Sequence, residues 1–457
     1  MWHKIVWSAL AVGILASPMA LAESSSDNNL SMDQVLAQTD QSGATASNAQ
    51  GIKPRRNRLQ LSGDSGAAAS NGFNPAISVI LDGVYGNFNR EVEDPAGFGG
   101  GHGHGHGSEE GGGHGIEEGF DIREAEIGFS GSVDAFFDME VYASVTESSI
   151  ELEEAYFVTN SLPSGLQVKA GKFLSDVGYI NRQHLHDWDF VDSTWMQDLI
   201  FGGEGLNEKG IQFSWVAPTA NYTRFGVEVL EGETEGVASF IGAEEENGLG
   251  DESSPRLFTA FMNYAPNLGF NHNLQFGLSY GFASAFQEEE EEESGALATT
   301  EGDAWFAGTD VVYKYDGEGA MGQGDLTLQA EYFIRERDLT FRELEGGAVE
   351  ESGKIRPRQD AAYIQSTYGF APRWDVGARL DAVGMTNKAF AELDPEDAST
   401  SFRYSTQVSF LPTEFSRIRA QVQYNDLDKP EGSDIEDAWQ FFLQINMALG
   451  AHGAHGF

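Results

Sequence analysis

The sequence predicts an all-β chain folded as a transmembrane antiparallel β-barrel of about sixteen strands. Three observations carry that prediction. From Pro75 onward, apolar and polar residues alternate one by one. The connections between alternating runs are short and long in turn. The last alternating run leads to a terminal aromatic, Phe457.

In RWDVGARLDAV, Trp374, Val376, Ala378, Leu380 and Ala382 share one face; Arg373, Asp375, Gly377, Arg379 and Asp381 share the other. In RIRAQVQYN, Ile418, Ala420, Val422 and Tyr424 oppose Arg417, Arg419, Gln421, Gln423 and Asn425. A period of two over such a length means a strand with one apolar and one polar face. Runs of this kind start near Pro75, Phe120, Phe136, Ile150, Gly165, Glu208, Ala220, Arg256, Asn273, Asp303, Gly324, Asp360, Trp374, Ser401, Ser416 and Asp437. Their polar faces are rich in Arg, Asp, Glu and Gln, whereas a soluble sandwich would turn apolar faces inward. In lipid every backbone N–H and C=O must be paired, so an alternating chain that crosses a bilayer has to close on itself. Sixteen strands leave an aqueous lumen.

The short connections include NSLPSG, APTA, DGEGAMGQ and PTEF. The long, mostly acidic ones are 89–119, 176–207, 232–255, 287–302, 338–359, 386–400 and 428–436. The connection near 148 is short where a long one is due. An outer-membrane barrel has short periplasmic turns and long external loops. Strand parity then puts both chain ends on the periplasmic side. In the last run Phe441, Leu443, Ile445, Met447 and Leu449 share a face, and Phe457 keeps their parity. Such an end resembles the signal by which barrel-assembly machinery recognises its clients.

Residues 1–22 read as a secretory signal peptide: a short basic start, an apolar stretch too short to span a bilayer, and Ala20-Leu21-Ala22 at the cleavage site. Residues 23–74 are polar and read as a flexible periplasmic segment, which leaves 75–457 as the barrel. The chain has no cysteine, which excludes disulfides and thiolate ligands. Its 72 acidic against 27 basic residues exclude nucleic acid as a partner and favour cations at the surface. No catalytic constellation stands out, and the chain is read as a non-enzyme.

Two histidine clusters offer metal ligands. The run FGGGHGHGHGSEEGGGHGIEEGF, residues 98–120, lies in the first long connection. His102, His104, His106 and His114 supply imidazoles beside Glu109, Glu110, Glu117 and Glu118, a donor set that suits zinc, nickel or copper. Interleaved glycines leave the backbone free, so this run is expected to be a loose collector that loses chain entropy on binding. A solvated tether without a ligand is the alternative. The second cluster is SDVGYINRQHLHDWDFVD, where His184 and His186 stand two apart with Asp187, Asp189 and Asp192. A connection of that length can fold into the lumen and narrow it. Its side chains hold one divalent cation, set a charged constriction or simply cap turns. His452 and His455 precede Phe457, where a polar strand end is the plainer reading. No cofactor is required; Zn2+ or another divalent cation at the loops is the ligand the residues suggest.

Facing the lumen, Arg335, Arg379, Arg403, Arg417 and Arg419 of the C-terminal half oppose Glu124, Glu126, Asp138 and Glu140 of the N-terminal half. Lys169 stands nearly alone among inward lysines. Opposed walls of this kind predict a transverse field across an open pore. The arginines leave an anion preference open, and the acidic loops favour cations at the mouth.

The unit LQVKAGKFLSDVGYINRQHLHDWDFVD, the glycine–histidine run and the histidine-bearing end resemble a family of bacterial outer-membrane proteins described as zinc-regulated and often labelled TonB-dependent receptors. Residues 23–74 are too few for the plug domain of such receptors. The KAGKF strand is similar to that of the phosphate-selective porins O and P. The resemblance covers 75–457 and implies a porin-like barrel in the outer membrane with a link to zinc. The function expected from residues and resemblance together is a passive channel for small solutes. A general or anion-preferring porin and a surface-display or adhesion barrel are the alternatives. Expected partners are membrane lipid, lipopolysaccharide, which the acidic loops including Glu288–Glu293 could bridge through divalent ions, the assembly machinery and small ions. Barrels of this size commonly assemble as trimers, so a homotrimer is compatible with the chain.

Overall fold

A computed structural model describes residues 75–90, 92, 95, 98, 116–243, 247–291, 296–345, 348–386, 400–428 and 436–450. The strands are β1 (Ala76–Phe88), β2 (Gly119–Ser132), β3 (Phe137–Val145), β4 (Ile150–Thr159), β5 (Leu166–Leu174), β6 (Asn207–Val216), β7 (Tyr222–Leu230) and β8 (Leu257–Ala265). They continue with β9 (His272–Glu291), β10 (Leu297–Tyr315), β11 (Leu326–Glu345), β12 (Ala348–Ile355), β13 (Arg358–Ala371) and β14 (Trp374–Val383). β15 (Ser401–Thr413), β16 (Ser416–Asp426) and β17 (Ala438–Gly450) complete the set. Each strand except β12 pairs antiparallel with the next, and β1 pairs with both β2 and β17. β11 also pairs directly with β13. The ring therefore closes through sixteen strands, and β12 is an extra strand laid along the outer part of β11.

Fifteen of the sixteen expected strand starts lie within two residues of those found; the exception is β10, which begins at Leu297 rather than Asp303. Two expected long loops are corrected. Most of 287–302 belongs to β9 and β10, paired from Glu288↔Thr300 to Glu291↔Leu297. Most of 338–359 is the β11–β12 hairpin, paired from Leu339↔Ile355 to Glu345↔Ala348. A ladder that rises beyond the apolar band has water on both faces, so it needs no apolar alternation and escapes a search for it.

The outer face is apolar where alternation places it. Leu443, Ile445 and Met447 of β17 are 38%, 44% and 54% exposed, while Gln444 and Asn446 between them are buried. Trp374, Val376, Tyr404, Val408, Ile418 and Val422 likewise point outward. Apolar surface that runs round a whole ring is far more than a soluble monomer leaves in water.

The expected aqueous lumen is partly filled by the connection after β5, as its length allows, and part of its lining is apolar. After β5 the chain turns inward over 175–206. It forms single turns at Ile180–Arg182 and Leu185–Asp187 and then helix α1 (Trp195–Phe201). Thr194 caps α1 by accepting a hydrogen bond from Gln197 N at Oγ1 (3.2 Å). Seven residues are too few to hold a helix in water. What holds this one is its apolar face: Met196, Leu199, Ile200 and Phe201 are all at most 2% exposed. Full burial of each such side chain contributes about 1.5–3 kcal/mol. They pack on inward-facing Phe286 of β9, Phe306 of β10, Phe333 and Leu339 of β11 and Ala361 of β13. The Phe201 ring meets those of Phe306 and Phe333 edge-on at 5.3 and 5.2 Å. Gly281 and Gly308 make this packing possible. A Cβ on either would come within 2.2 or 2.3 Å of the Phe306 or Phe333 ring on the adjacent strand. A second inward turn, helix α2 (Glu235–Ala238), packs Val237 and Ala238 into the same cluster.

Candidate functional site: the inserted segment and a buried histidine–glutamate cluster

An irregular segment inside a barrel exposes backbone groups that its own structure cannot pair, and burial makes each unpaired group costly. The wall supplies the partners in a sorted way. Inward carboxylates take the N–H groups. Glu331 accepts from Tyr179 N and Ile180 N at 2.8 Å, Glu228 from Asp176 N at 3.1 Å, and Asp381 from Trp195 N at 3.1 Å. Inward arginines take the carbonyls. Arg123 donates to Val191 O (2.6 Å), Arg419 to Trp188 O (3.0 Å), Arg379 to Asp192 O (2.9 Å) and Arg403 to Ser193 O (2.7 Å). Arg417 reaches His186 O, and Arg335 reaches Ile200 O (2.8 Å) and Gly236 O.

This corrects the expected cationic pore wall. Arg335, Arg379, Arg403 and Arg419 do face inward, but they are at most 5% exposed and bound to the segment rather than to water. Arg417 is half-buried and bound in the same way. A buried guanidinium needs acceptors on its fork, and a loop rich in free carbonyls offers them. Two wall groups are shared with the segment's own Asp192. Arg379 and Arg403 lie 2.7 and 3.0 Å from Asp192 Oδ2, and 3.0 and 3.1 Å from Asp381 Oδ2.

The acidic half of the wall behaves differently. Two β-bulges turn neighbouring residues inward together, which strict alternation forbids. One lies in β2 opposite Asp82/Gly83 and delivers both Arg123 and Glu124; the other lies in β4 opposite Tyr142/Ala143 and delivers both Glu153 and Glu154. Glu126 and Glu140 point inward from β2 and β3. His184 and His186 come down onto this acidic wall, with rings 5.7 Å apart and stacked. His184 Nδ1 is 2.8 Å from Glu126 Oε2 and 3.5 Å from Glu153 Oε2, while its Nε2 is 2.9 Å from Glu154 Oε2. His186 Nδ1 is 3.4 Å from Glu126 Oε2 and 4.0 Å from Glu124 Oε1, and its Nε2 is 3.5 Å from Asp187 Oδ1. Both rings thus turn Nδ1 toward Glu126 and Nε2 toward a different carboxylate. Burial alone would lower the basicity of the His184 imidazole, but Glu126, Glu153 and Glu154 outweigh it and hold its pKa well above the ordinary value.

Of the second expected metal cluster, the structure brings His184 and His186 together and keeps Asp187 beside His186. It separates Asp189, which accepts from Gln365 Nε2 at 3.3 Å on the far wall. Glu124 and Glu126 join the histidines instead of facing open water, and Glu140 is occupied by the hydroxyls of Tyr142 and Tyr156. Asp138 sits at the end with short connections, where it accepts from Ser132 Oγ at 2.6 Å. Lys169 lines a small polar cavity of about 70 Å³ between β4–β7 and the segment, together with Glu154, Asp176, Arg182, His184 and Arg224. His102, His104, His106, His114, His452, His455 and Phe457 lie outside the described residues.

No family model matches the chain. An uncharacterized protein of Aquifex aeolicus (strain VF5) is 33% identical over 399 residues, which cover 84% of this chain and 80% of that protein. The chain belongs to that protein's family. Among solved structures, it is similar to in-vitro folded OmpT, an outer membrane protein of Vibrio cholerae. The identity is 12% and the TM-score 0.49, over 83% of this chain and 98% of that one. It is also similar to the outer membrane channel DcaP of Acinetobacter baumannii, with 11% identity and a TM-score of 0.47 over 82% and 96% of the two chains. For an anion-selective porin of Comamonas acidovorans the figures are 10%, 0.45, 82% and 99%.

The seating of the segment has a pH dependence that follows from Asp192. Burial raises its pKa, but Arg379 and Arg403 outweigh burial and hold the carboxyl below its ordinary value. A depressed carboxyl contributes stability that is fully present above the unfolded-state value, near 3.8, and is lost as pH falls through the folded one. The Asp192 contribution to protease resistance within 175–206 is therefore expected to be constant from neutrality down to about 4 and to be lost below it, so that cleavage rises there. Asp192→Asn should be cleaved faster at pH 7 and lose the acid step. An acid step of equal size in that variant would assign the effect to other groups.

Proposed function

We propose that the protein is a bacterial outer-membrane channel for passive movement of small solutes, with the inserted segment 175–206 setting its narrowest part. The observation that carries the reading is the closed sixteen-strand ring, apolar outside and largely charged or polar on its inward wall, with a small polar cavity left between β4–β7 and the inserted segment. Among the described residues no helix is long and apolar enough to cross a membrane. The cavity mixes Glu154 and Asp176 with Lys169, Arg182 and Arg224, and Arg379, Arg403 and Arg419 are bound to the segment. That balance favours a narrow channel with weak charge preference over a strongly anion-selective one. Placement in the outer membrane, export by residues 1–22, contact with lipopolysaccharide, insertion through Phe457 and a homotrimeric assembly belong to the same proposal. So does zinc capture by His102, His104, His106 and His114.

Reconstitution in a planar bilayer tests the reading. Discrete conductance steps, with a reversal potential near zero in a potassium chloride gradient, are the expected result. Folded, inserted protein that gives no steps would overturn the channel and leave a display barrel in its place.

A further inference from the structure

We propose that Glu124, Glu126, Glu153, His184 and His186 form a buried site for a divalent transition-metal cation, with Glu126 as the shared ligand. Two sets of donor atoms, Glu124/Glu126/His186 and Glu126/Glu153/His184, each lie within 4.8 Å of one another. Ligands about 2.1 Å from an ion in tetrahedral array stand about 3.4 Å apart. Glu126 Oε2 is 3.4 Å from His186 Nδ1, and Glu153 Oε2 is 3.5 Å from His184 Nδ1. These two pairs are at coordinating separation; Glu126 Oε2 and His184 Nδ1 at 2.8 Å have to part, and Glu124 Oε1 and His186 Nδ1 at 4.0 Å to close, by small rotations.

Three further features point to a cation rather than to an internal ion-pair network. Glu124 is 1% exposed, and its Oε1, aimed into the cluster, accepts no hydrogen bond. Buried carboxylate oxygens left in that state are costly unless a positive charge meets them. The carboxylates facing the two rings outnumber them, and the nearest fixed cations are engaged elsewhere. Arg123 binds Asp82 at 3.1 Å and Val191 O, and Lys169 lies over the Phe173 ring and against Asp176 at 4.0 Å. Finally, the rings are oriented from behind. Glu154 holds Nε2 of His184 and Asp187 stands by Nε2 of His186, which leaves both Nδ1 atoms facing inward. A carboxylate behind each imidazole is what fixes the tautomer and raises the basicity of a metal-bound histidine. Mixed imidazole and carboxylate donors favour zinc, iron(II) or manganese over calcium or magnesium.

The ligands come from two separate parts of the fold. His184 and His186 belong to the inserted segment; Glu124, Glu126 and Glu153 belong to the wall strands β2 and β4. A bound ion therefore clamps the segment to the wall. Any effect of that clamp on conductance rests on the channel reading; binding itself does not.

The test uses the full chain purified in detergent and stripped with chelator, then loaded with zinc(II) or cobalt(II). The background is a variant lacking 99–115, which removes His102, His104, His106 and His114. This variant should retain at least one zinc per chain after gel filtration and give visible cobalt absorption. His184→Ala with His186→Ala should abolish both. Glu126→Gln, which keeps size and shape, should weaken zinc binding at least about tenfold, the scale on which even an outer partner of a metal site acts. Unchanged strand circular dichroism guards against misfolding. Zinc retention that survives loss of both histidines overturns the site, as does its absence from the variant lacking only 99–115. Either result leaves the conductance test untouched.

Discussion

Replacing residues 185–201 by a short glycine–serine link raises single-channel conductance several-fold and shifts the reversal potential toward anions. The size of the effect follows from what the segment occupies. Phe190, Val191, Met196, Ile200 and Phe201 are at most 1% exposed inside a ring whose strand number otherwise leaves a water-filled lumen. The selectivity change follows from what the segment binds. Arg123, Arg335, Arg379, Arg403 and Arg419 each donate to a carbonyl between Trp188 and Ile200, and removal of those acceptors returns the guanidiniums to water. A lumen lined by one sign of charge concentrates the opposite ion. The price is stability, because Phe286, Phe306, Phe333 and Leu339 lose their apolar cover. Planar-bilayer recordings of wild type and variant, side by side, decide the matter. Equal conductances would mean that ions pass along a route the segment does not border.

Strand existence was legible because the bilayer enforces one rule on every membrane-facing residue. Phe402, Tyr404, Thr406, Val408 and Phe410 alternate with Arg403, Ser405, Gln407 and Ser409, and burial follows that pattern residue by residue. The rule lapses where lipid does. β12 and the outer ends of β9 to β11 lack a sustained apolar alternation, so their sequence reads as loop. The lumen was harder to read because inward positions answer to whatever fills them, and that filling comes from elsewhere in the chain. Phe306 and Phe333 look like ordinary strand aromatics until Phe201 is seen between them. One local signal did exist. Glycines on the inward parity at 281 and 308 leave room for a large ring on the next strand, as Gly281 does for Phe306. The histidine cluster was half visible. His184 and His186 are conspicuous in sequence, but their carboxylate partners stand on strands β2 and β4. Glu153 and Glu154 both face inward only because a bulge breaks the period that would have put one of them in lipid. The adjacent pair of glutamates in a strand is the trace such a bulge leaves.

Asp381→Ala is expected to cost about 3–5 kcal/mol, the range for removal of one partner from a buried ion pair. Asp381 is fully buried, and it serves three donors at once: Arg379 Nε (3.0 Å), Arg403 Nε (3.1 Å) and Trp195 N (3.1 Å). Alanine leaves the two guanidiniums with Asp192 as their remaining carboxylate partner, and it leaves the first backbone N–H of α1 without an acceptor. Arg403 also lies over the Trp195 ring at 4.9 Å, so the helix start loses a second contact if that arginine shifts. Asp381→Asn separates charge from shape, since the amide oxygen can still accept from Trp195 N while the negative charge is gone. Its cost should fall between wild type and alanine. Guanidinium unfolding in detergent micelles gives the midpoints, and proteolysis within 175–206 reports whether the segment leaves before the barrel opens. A change below about 1 kcal/mol for alanine would put the pair in the class of solvated surface bridges. Water would then reach the arginines, and the segment would be held by its apolar face alone.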